Sequence, residues 1–501
     1  MAPAGSPAPP HFVLAPLAAH GHVIPMVDLA RLLAKRGARA SLVTTPLNVA
    51  RLRGVADQAA RDGLPLELVG LPFSPAEAGM PPDYQSADML AENAQFTPFV
   101  KALRGLDAPF EAYVRALAPP PSCIVSDWCN TWTAGVARSL GIPRLFFHGP
   151  SCFYSLCDLN AVVYGLHEQI AAAAAADDDD DKEEAHVVPG MPVRVTVTKG
   201  TAPGFYNAPG CEALRDEAIE VMLAADGVVV NTFLDLEGQF VACYEAALGK
   251  PVWTVGPLCL HNRDDEAMAS CGGSAAAVDR RAITAWLDGQ VPGSVVLVSF
   301  GTVLRKLPKH LFEVGHGLEE SGKPFLWVVK EAEASRPEVR EWLDGFGART
   351  AGRGLVVRGW APQVAVLSHR AVGGFVTHCG WNSLLEAVAH GVPVATWPHF
   401  ADQFANEQLA VDVLGVGVAM GAAAAPVLML NDESMAATRR DVARAVSALM
   451  DGGEEAEERR RKAKEYGEKA RRAMAEGGSS HESVTQLIAS FIHSGGDELV
   501  T

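Results

Sequence analysis

No apolar run in these 501 residues approaches the 18 or so needed to cross a bilayer, so no membrane-spanning segment is expected. Basic charge is scarce: 42 Lys and Arg stand against 59 Asp and Glu, a formal net charge of −17. Affinity for nucleic acid and for anionic membranes comes from cations that neutralise phosphates, so neither is expected as a partner. A local anion site survives this argument, because backbone amides at a helix start hold a phosphate without any lysine. The nine cysteines offer no disulfide framework. They are odd in number, scattered and without a C-x-x-C pair, as befits buried thiols in a reducing compartment. Met1–Pro10 is small and Pro-rich with no basic stretch, and reads as a lead-in to the first strand rather than a secretion signal. The expected compartment is the cytosol. No G-x-G-x-x-G follows the first strand of either half, which sets a nicotinamide enzyme aside.

What is present points to two domains, since single cores stop growing at roughly 250–300 residues. Apolar residues at 49% and charged residues at 20% are the balance of a globular enzyme. In the first half, strands are expected at His11–Leu17, Ala40–Thr44, Cys123–Ser126, Arg144–Phe147, Gly227–Asn231 and Val252–Val255, with helices at Ile24–Lys35 and Thr131–Leu140. The second half restarts with strands at Ser294–Phe300, Pro324–Lys330, Gly354–Trp360, Gly374–His378, Val392–Trp397 and Gly415–Met420. Such alternation predicts right-handed crossovers and parallel sheets, hence an α/β fold of two doubly wound domains facing across a cleft.

The expected boundaries are 1–258 for the first domain, 259–280 for a linker, 281–475 for the second domain and 476–501 for a C-terminal helix packing back on the first. Asn262–Ala277, polar and rich in small residues, carries the linker expectation. Ala171–Glu184, poly-Ala followed by Asp and Glu, reads as a solvated loop. Glu454–Ala475 carries Glu455→Arg459, Glu457→Arg461 and Glu458→Lys462 at i,i+4 spacing and reads as a solvent-facing helix.

The chemistry concentrates between Trp360 and Gln403, where the chain reads WAPQVAVLSHRAVGGFVTHCGWNSLLEAVAHGVPVATWPHFADQ. A strand ending at His378, a turn at Gly380 and a helix capped by Asn382 or Ser383 would present free amides and a positive helix end to an anion. His378 can donate into the same anion. Glu386 lies one turn along, where a carboxylate can accept two vicinal hydroxyls. Trp360 ends the preceding strand and can stack on a base, and Asp402 and Gln403 suit sugar hydroxyls. Together these describe a nucleotide-sugar site. Trp381 and Leu385 also admit plain packing, His390 and His399 read as structural or surface histidines, and no His pair here has metal-ligand spacing.

This stretch resembles the signature box of plant secondary-product UDP-glycosyltransferases, with W-A-P-Q at its start, H-C-G-W-N-S in the middle, then E, and D-Q at its end. The resemblance runs over nearly the whole chain and implies the GT-B arrangement of two Rossmann-like domains. It implies that Trp360 stacks on the uracil, that Gln363 and Glu386 hold the ribose, and that His378, Asn382 and Ser383 bind the phosphates, with Ala361 and Gly380 in the same donor-binding set. Trp381, Asp402 and Gln403 would contact the sugar. Val298–Thr302 resembles the family's strand and turn that also meet the diphosphate, so Gly301 and Thr302 join the set, with Thr302 where Ser is common. The resemblance further implies inversion by direct displacement, with a His base and an Asp that orients it. His22 of His20-Gly21-His22 matches the base and Asp127 its partner; His20 falls where Gln is frequent.

The residues support that assignment independently. A hydroxyl must lose its proton as it attacks, an unperturbed imidazole titrates near pH 6.5, and the imidazolium needs a counter-charge. Fixed dipoles and His378 can stabilise the leaving UDP, so no metal and no cofactor beyond the UDP-glucose donor is expected. The family's Thr after Arg144–Phe147 is missing; His148-Gly149-Pro150-Ser151 stands there, with Ser151 only a weak substitute, so that contact stays open. Met80–Tyr84, Phe96, Phe99, Phe147, Phe153 and Tyr154 are the candidate walls for a small lipophilic acceptor.

The expected protein is a monomeric hexosyltransferase, forming O-glucosides on flavonoid-, triterpenoid-, phenolic- or hormone-like acceptors. The competing readings are C-, N- or S-transfer or another UDP-sugar on the same fold, and a UDP-sugar-binding protein without activity. The presence of both His22 and Asp127 weighs against the last.

Overall fold

The computed structural model describes residues 8–90, 95–176, 184–203, 212–261, 280–302, 306–421 and 437–492. In the first half lie strands β1 (His11–Ala15), β2 (Arg39–Thr44), β3 (Leu66–Gly70), β4 (Cys123–Asp127) and β5 (Arg144–His148). A short antiparallel pair follows, β6 (His186–Val187) and β7 (Thr196–Val197), and then β8 (Gly227–Val230) and β9 (Val252–Thr254). All except the antiparallel pair join one parallel sheet in the order β3-β2-β1-β4-β5-β8-β9. The second half carries β10 (Val295–Ser299), β11 (Phe325–Val329), β12 (Gly354–Arg358), β13 (Val372–Thr377), β14 (Val394–Thr396) and β15 (Gly417–Ala419). They form a second parallel sheet, β12-β11-β10-β13-β14-β15. The doubly wound pair is as expected.

The central strands β1, β4, β5 and β8 are buried at every position. Helices cover both faces of such a sheet, so its strands are continuous apolar runs, which is why they were legible. The edge strand β3 was not expected. None of its residues is fully buried over Leu66–Gly70, and it has no long apolar run to mark it.

Three expectations shift. The first helix spans His20–Lys35, four residues longer at its start than its apolar period indicates, with Ala19 extended before it. Pro25 lies inside it and lacks the N–H that would bond the carbonyl four residues back, that of Gly21. Next, Ala171–Ala176 belongs to a helix, Leu166–Ala176, rather than a loop, consistent with alanine's high helix propensity. The acidic run after it and Asn262–Ala277 lie outside the described residues. Finally, helix Glu454–Met474 has one charged face, but Ala456, Ala463, Gly467 and Ala470 are buried along the other. A Cβ on Gly467 would stand 2.9 Å from the Gly391 nitrogen, so the small side chain lets this helix close on helix Trp381–His390. Of the expected pairs, Lys462 reaches Glu458 at 3.9 Å, whereas Arg459 donates to the carbonyls of Gly417 and Ala448.

Helix Ser479–Ser490 ends the described chain against the first sheet. Val484, Leu487 and Phe491 share a cluster with Phe12, Leu14 and Val23, and the Phe491 ring meets Phe12 edge-on at 5.6 Å. No described helix is long and apolar enough to cross a membrane. Phe491→Ala removes a buried ring from this joint and should destabilise the first domain by about 3 kcal/mol, read as a lower urea midpoint. An unchanged midpoint would mean that the last helix adds nothing to that core.

Candidate active site

Each sheet reverses its strand order at one point, and the expected site residues gather at those two points. In the first sheet the reversal falls between β1 and β4, which pair from Phe12↔Cys123 to Ala15↔Ser126. In the second it falls between β10 and β13, paired as far as Ser299↔Thr377. Chains leaving the carboxyl ends of two such neighbours diverge to opposite faces of the sheet, and a crevice opens between them. His22 follows β1 and Asp127 ends β4; Gly301 and Thr302 follow β10 and His378 follows β13. One cleft of about 620 Å³ joins the two crevices, and every expected site residue lines it except Asp127, which lies behind His22.

His22 sits in the first turn of helix His20–Lys35. Its Nδ1 donates to Asp127 Oδ2 at 2.8 Å, and Asp127 Oδ1 accepts from the Cys129 N–H at 3.1 Å. Asp127 is wholly buried, while His22 keeps 26% of its side chain exposed. Nε2 is therefore the ring nitrogen left for a ligand. Burial acts to lower the His22 pKa, but the charge and hydrogen bond of Asp127 and the charge of Asp402 outweigh it, and the net shift is upward. His20 shares the turn but not the partner. Its Nδ1 lies 3.5 Å from Asp88, which also pairs with Arg51 at 3.0 Å.

The opposite wall is built around His378. Gly301 and Gly380 flank it so closely that a Cβ on either would stand 2.6 Å and 2.5 Å from its Nε2. Gly301 also has φ +68°, so both its conformation and the space around it require glycine. His378 Nδ1 is buried without a hydrogen-bond partner among the described residues. Burial, with the charges of Lys330 and Lys306, pushes its pKa down to about 3, which keeps the ring neutral. The two described non-glycine residues in the left-handed region, Cys379 (φ 66°) and Ala401 (φ 54°), adjoin His378 and Asp402. Such conformations persist where the surroundings hold them. Here Asn406 Nδ2 binds the Cys379 carbonyl at 2.9 Å.

The capping expectation is corrected. Helix Trp381–His390 starts at Trp381 with Gly380 as N-cap and no side-chain cap from that residue, and the Trp381 N–H is bonded to the Asp402 carboxylate. Asn382 and Ser383 lie inside the first turn and turn to other partners. Asn382 Nδ2 donates to the Gly21 carbonyl at 2.5 Å, the acceptor that Pro25 leaves unused. Ser383 Oγ accepts from Gln363 Nε2 at 3.1 Å, and the same nitrogen donates to Glu386 at 2.8 Å. Burial lifts the Glu386 pKa to about 7. Trp381 is buried and its indole N–H donates to the Asn231 carbonyl at 2.8 Å, so that donor is spent holding the domains together. Trp360 follows β12 by two residues and is half-buried on the cleft beside Ala361.

Asp402 accepts from Asn406 Nδ2 at 2.7 Å, and burial pushes its pKa up to about 6. Gln403 Oε1 accepts from the N–H groups of His399 and Phe400 at 2.9 and 3.2 Å, so only its amide nitrogen is left to face the cleft. His399 in turn meets Lys306 Nζ at 3.0 Å, and His390 bonds the Glu386 carbonyl at 2.8 Å. Ser151 is engaged within the protein. Its oxygen caps helix Cys152–Val163 by accepting from the Tyr154 N–H and donates to Asn406 Oδ1 at 3.0 Å, with no exposed surface. His148, beside it, bonds Ser155 through Nδ1 at 2.7 Å, and burial lowers its pKa to about 4.

Of the expected acceptor walls, Phe96 and Tyr154 line the cleft. Phe99, Phe147 and Phe153 are core residues, at 0%, 1% and 0% exposure. Trp128, Phe146, Ile219 and Met222 complete the apolar wall and were not expected. Composition alone cannot separate an aromatic that faces a cleft from one that faces a core, because both bury the same apolar surface.

Comparison with known proteins agrees with this geometry. The family model for UDP-glucoronosyl and UDP-glucosyl transferase matches residues 273–455. UDP-glycosyltransferase 73E1 of Stevia rebaudiana is 41% identical, covering 96% of this chain and 97% of its own. UDP-glycosyltransferase 73C3 of Arabidopsis thaliana is 40% identical over 95% of both chains. Among solved structures, Glycyrrhiza uralensis UGT73P12 complexed with glycyrrhetinic acid 3-O-monoglucuronide superposes with a TM-score of 0.85 at 30% identity, over 97% of this chain and 96% of that one. Phytolacca americana UGT2 complexed with UDP-2fluoro-glucose and pterostilbene gives 0.72 at 28% identity, over 96% and 99%. The fold is GT-B, and the chain belongs to the plant family 1 UDP-glycosyltransferases.

Proposed function

We propose that the protein is an inverting, UDP-glucose-dependent O-glucosyltransferase of the cytosol, acting on a small lipophilic plant metabolite. One observation carries this reading. The His22–Asp127 pair, 2.8 Å apart, stands at the switch point of one sheet and faces the His378 crevice at the switch point of the other.

An acceptor hydroxyl gives its proton to His22 Nε2 as its oxygen attacks the anomeric carbon, and Asp127 steadies the imidazolium through Nδ1. The bond from that carbon to the diphosphate oxygen breaks on the opposite side, so configuration inverts. UDP leaves with its charge on the positive end of helix Trp381–His390 and on the neutral His378. Preorganised dipoles of this kind stabilise charge without a divalent ion. Gln363 and Glu386 are already bonded to each other and suit the two ribose hydroxyls, and Trp360 suits the uracil face. Asp402 and the free end of Gln403 suit the sugar; Trp381 serves this site through its packing rather than its indole N–H. The apolar wall and the pterostilbene in the Phytolacca relative support a flat or polycyclic acceptor.

His22→Ala should lower kcat by roughly 10²–10⁴-fold while UDP binding persists, because base and donor site belong to different domains. Since the His22 pKa is raised in the free enzyme and the neutral ring is the base, kcat/KM should fall on the acid side with an apparent pKa above the ordinary 6.5. Asp127→Asn removes the charge that raises it, so the acid limb should move to lower pH as the plateau drops. A pH–rate profile that Asp127→Asn leaves in place would refute the pairing.

Gly301→Ala should weaken UDP binding by about tenfold or more, because the new Cβ must displace His378 and strain the backbone. Calorimetric titration with UDP checks this, and equal affinities would place the phosphates elsewhere.

UDP-glucose should exceed UDP-galactose in kcat/KM by about tenfold, roughly 1.4 kcal/mol, because a site bonded to one C4 hydroxyl direction leaves a polar group unpaired against the other. Gln403→His should narrow the gap and also reduce total activity, since it releases the His399 and Phe400 amides that Gln403 holds. Equal efficiency with both donors would refute the glucose assignment and leave the UDP site standing.

A further inference from the structure

The acceptor end of the cleft is apolar except at one place. Helix Cys152–Val163 presents Tyr154 and, one turn on, Asp158 to the cleft. Helix Glu212–Leu223 presents Arg215, Ala218, Ile219 and Met222 to the same space, a stripe at helical spacing. Asp158 Oδ1 is buried and has no hydrogen-bond partner among the described residues. Arg215 reaches it through charge, while burial dominates and lifts its pKa to about 6. Aspartate is a poor helix former, and a buried carboxyl oxygen without a donor costs free energy, so packing gives no reason for that oxygen here. A group that completes its hydrogen bonding does.

Its place tells which part of a ligand that group belongs to. The His148 and Tyr154 rings stand 6.4 Å apart, and His22 and Asp127 act electrostatically on His148. Asp158 is a further helical turn, about 6 Å, beyond Tyr154. It therefore lies at the distal end of the acceptor space, away from the hydroxyl that His22 would deprotonate. Because Arg215 already offsets its charge, a neutral donor suits it better than a cation.

We propose that Asp158 is a specificity-determining residue that accepts a hydrogen bond from a second acceptor hydroxyl, at the far end of a rigid apolar skeleton from the hydroxyl receiving the sugar. The inference rests on the reading of His22 as base and of the cleft as an acceptor site. It narrows the preferred acceptors to molecules with hydroxyls at both ends.

The test compares para-hydroxystilbene with para,para′-dihydroxystilbene as acceptors for UDP-glucose, in the full-length wild-type protein, Asp158→Asn and Asp158→Leu. The wild type should prefer the diphenol in kcat/KM by about tenfold or more, beyond the statistical advantage of two equivalent hydroxyls. Asp158→Leu should abolish that preference while transfer to the monophenol is kept or improved, and Asp158→Asn, which retains an acceptor oxygen and the shape, should keep part of it. UDP affinity should be the same in all three, which verifies folding. A preference unchanged in Asp158→Leu, or a wild type with none, overturns the proposal and leaves the glycosyltransferase reading intact. Equal losses for both acceptors in both variants also overturn it, by making Asp158 structural. No transfer to either stilbene by a wild type that binds UDP overturns the flat-acceptor reading and the proposal with it.

Discussion

The Asn382 amide donates to the Gly21 carbonyl at 2.5 Å, and that carbonyl is available because Pro25, four residues on, has no N–H to offer it. One end of this bond is the first turn that carries His22. The other is the first turn of the helix that starts beside His378. Trp381, next to Asn382, adds a second bridge to the Asn231 carbonyl, and Ser151 with Asn406 a third. Two doubly wound sheets have no intrinsic reason to align their switch points. These bridges, over an apolar cluster that runs from Phe153 and Phe240 to Trp381 and Leu384, hold them face to face. In the proposed reaction the base and the leaving group act on opposite sides of one carbon, where a displacement of about 1 Å costs on the order of 10²-fold.

The electrostatics of the cleft follow from the same enclosure. Burial disfavours charge of either sign, and it lifts Glu386, Asp402 and Asp158 while lowering His378 and His148. His22 alone among these histidines moves the other way, because Asp127 is bonded to its ring. The result is a cleft in which His378 and His148 stay neutral and one histidine is tuned toward proton uptake.

The signature stretch was legible because its chemistry sits on short polar runs at strand ends, and the local backbone rules there hold in any tertiary setting. His22, Asp127, Gly301 and His378 all stand where a strand or its following turn places them. The expectation that failed within it was the side-chain cap, since Gly380 starts the helix and frees Asn382 and Ser383 for distant partners. Those partners, Gly21 and Gln363, lie 361 and 20 residues away in the chain. Local propensity carries no term for them.

Apolar strand runs, helical periods and glycine-bearing turns by themselves determined the two parallel sheets and which residues stand at their strand ends, because each depends on neighbours within one element or one turn. Tertiary structure decided which aromatics face the cleft, that Ser151 caps a helix and bonds Asn406, and that Asp158 lines the cleft with one carboxyl oxygen unbonded among the described residues. It also decided which way each titratable group moves. Burial and long-range charge arise only when elements distant in the chain close on one another, and no window of sequence contains them.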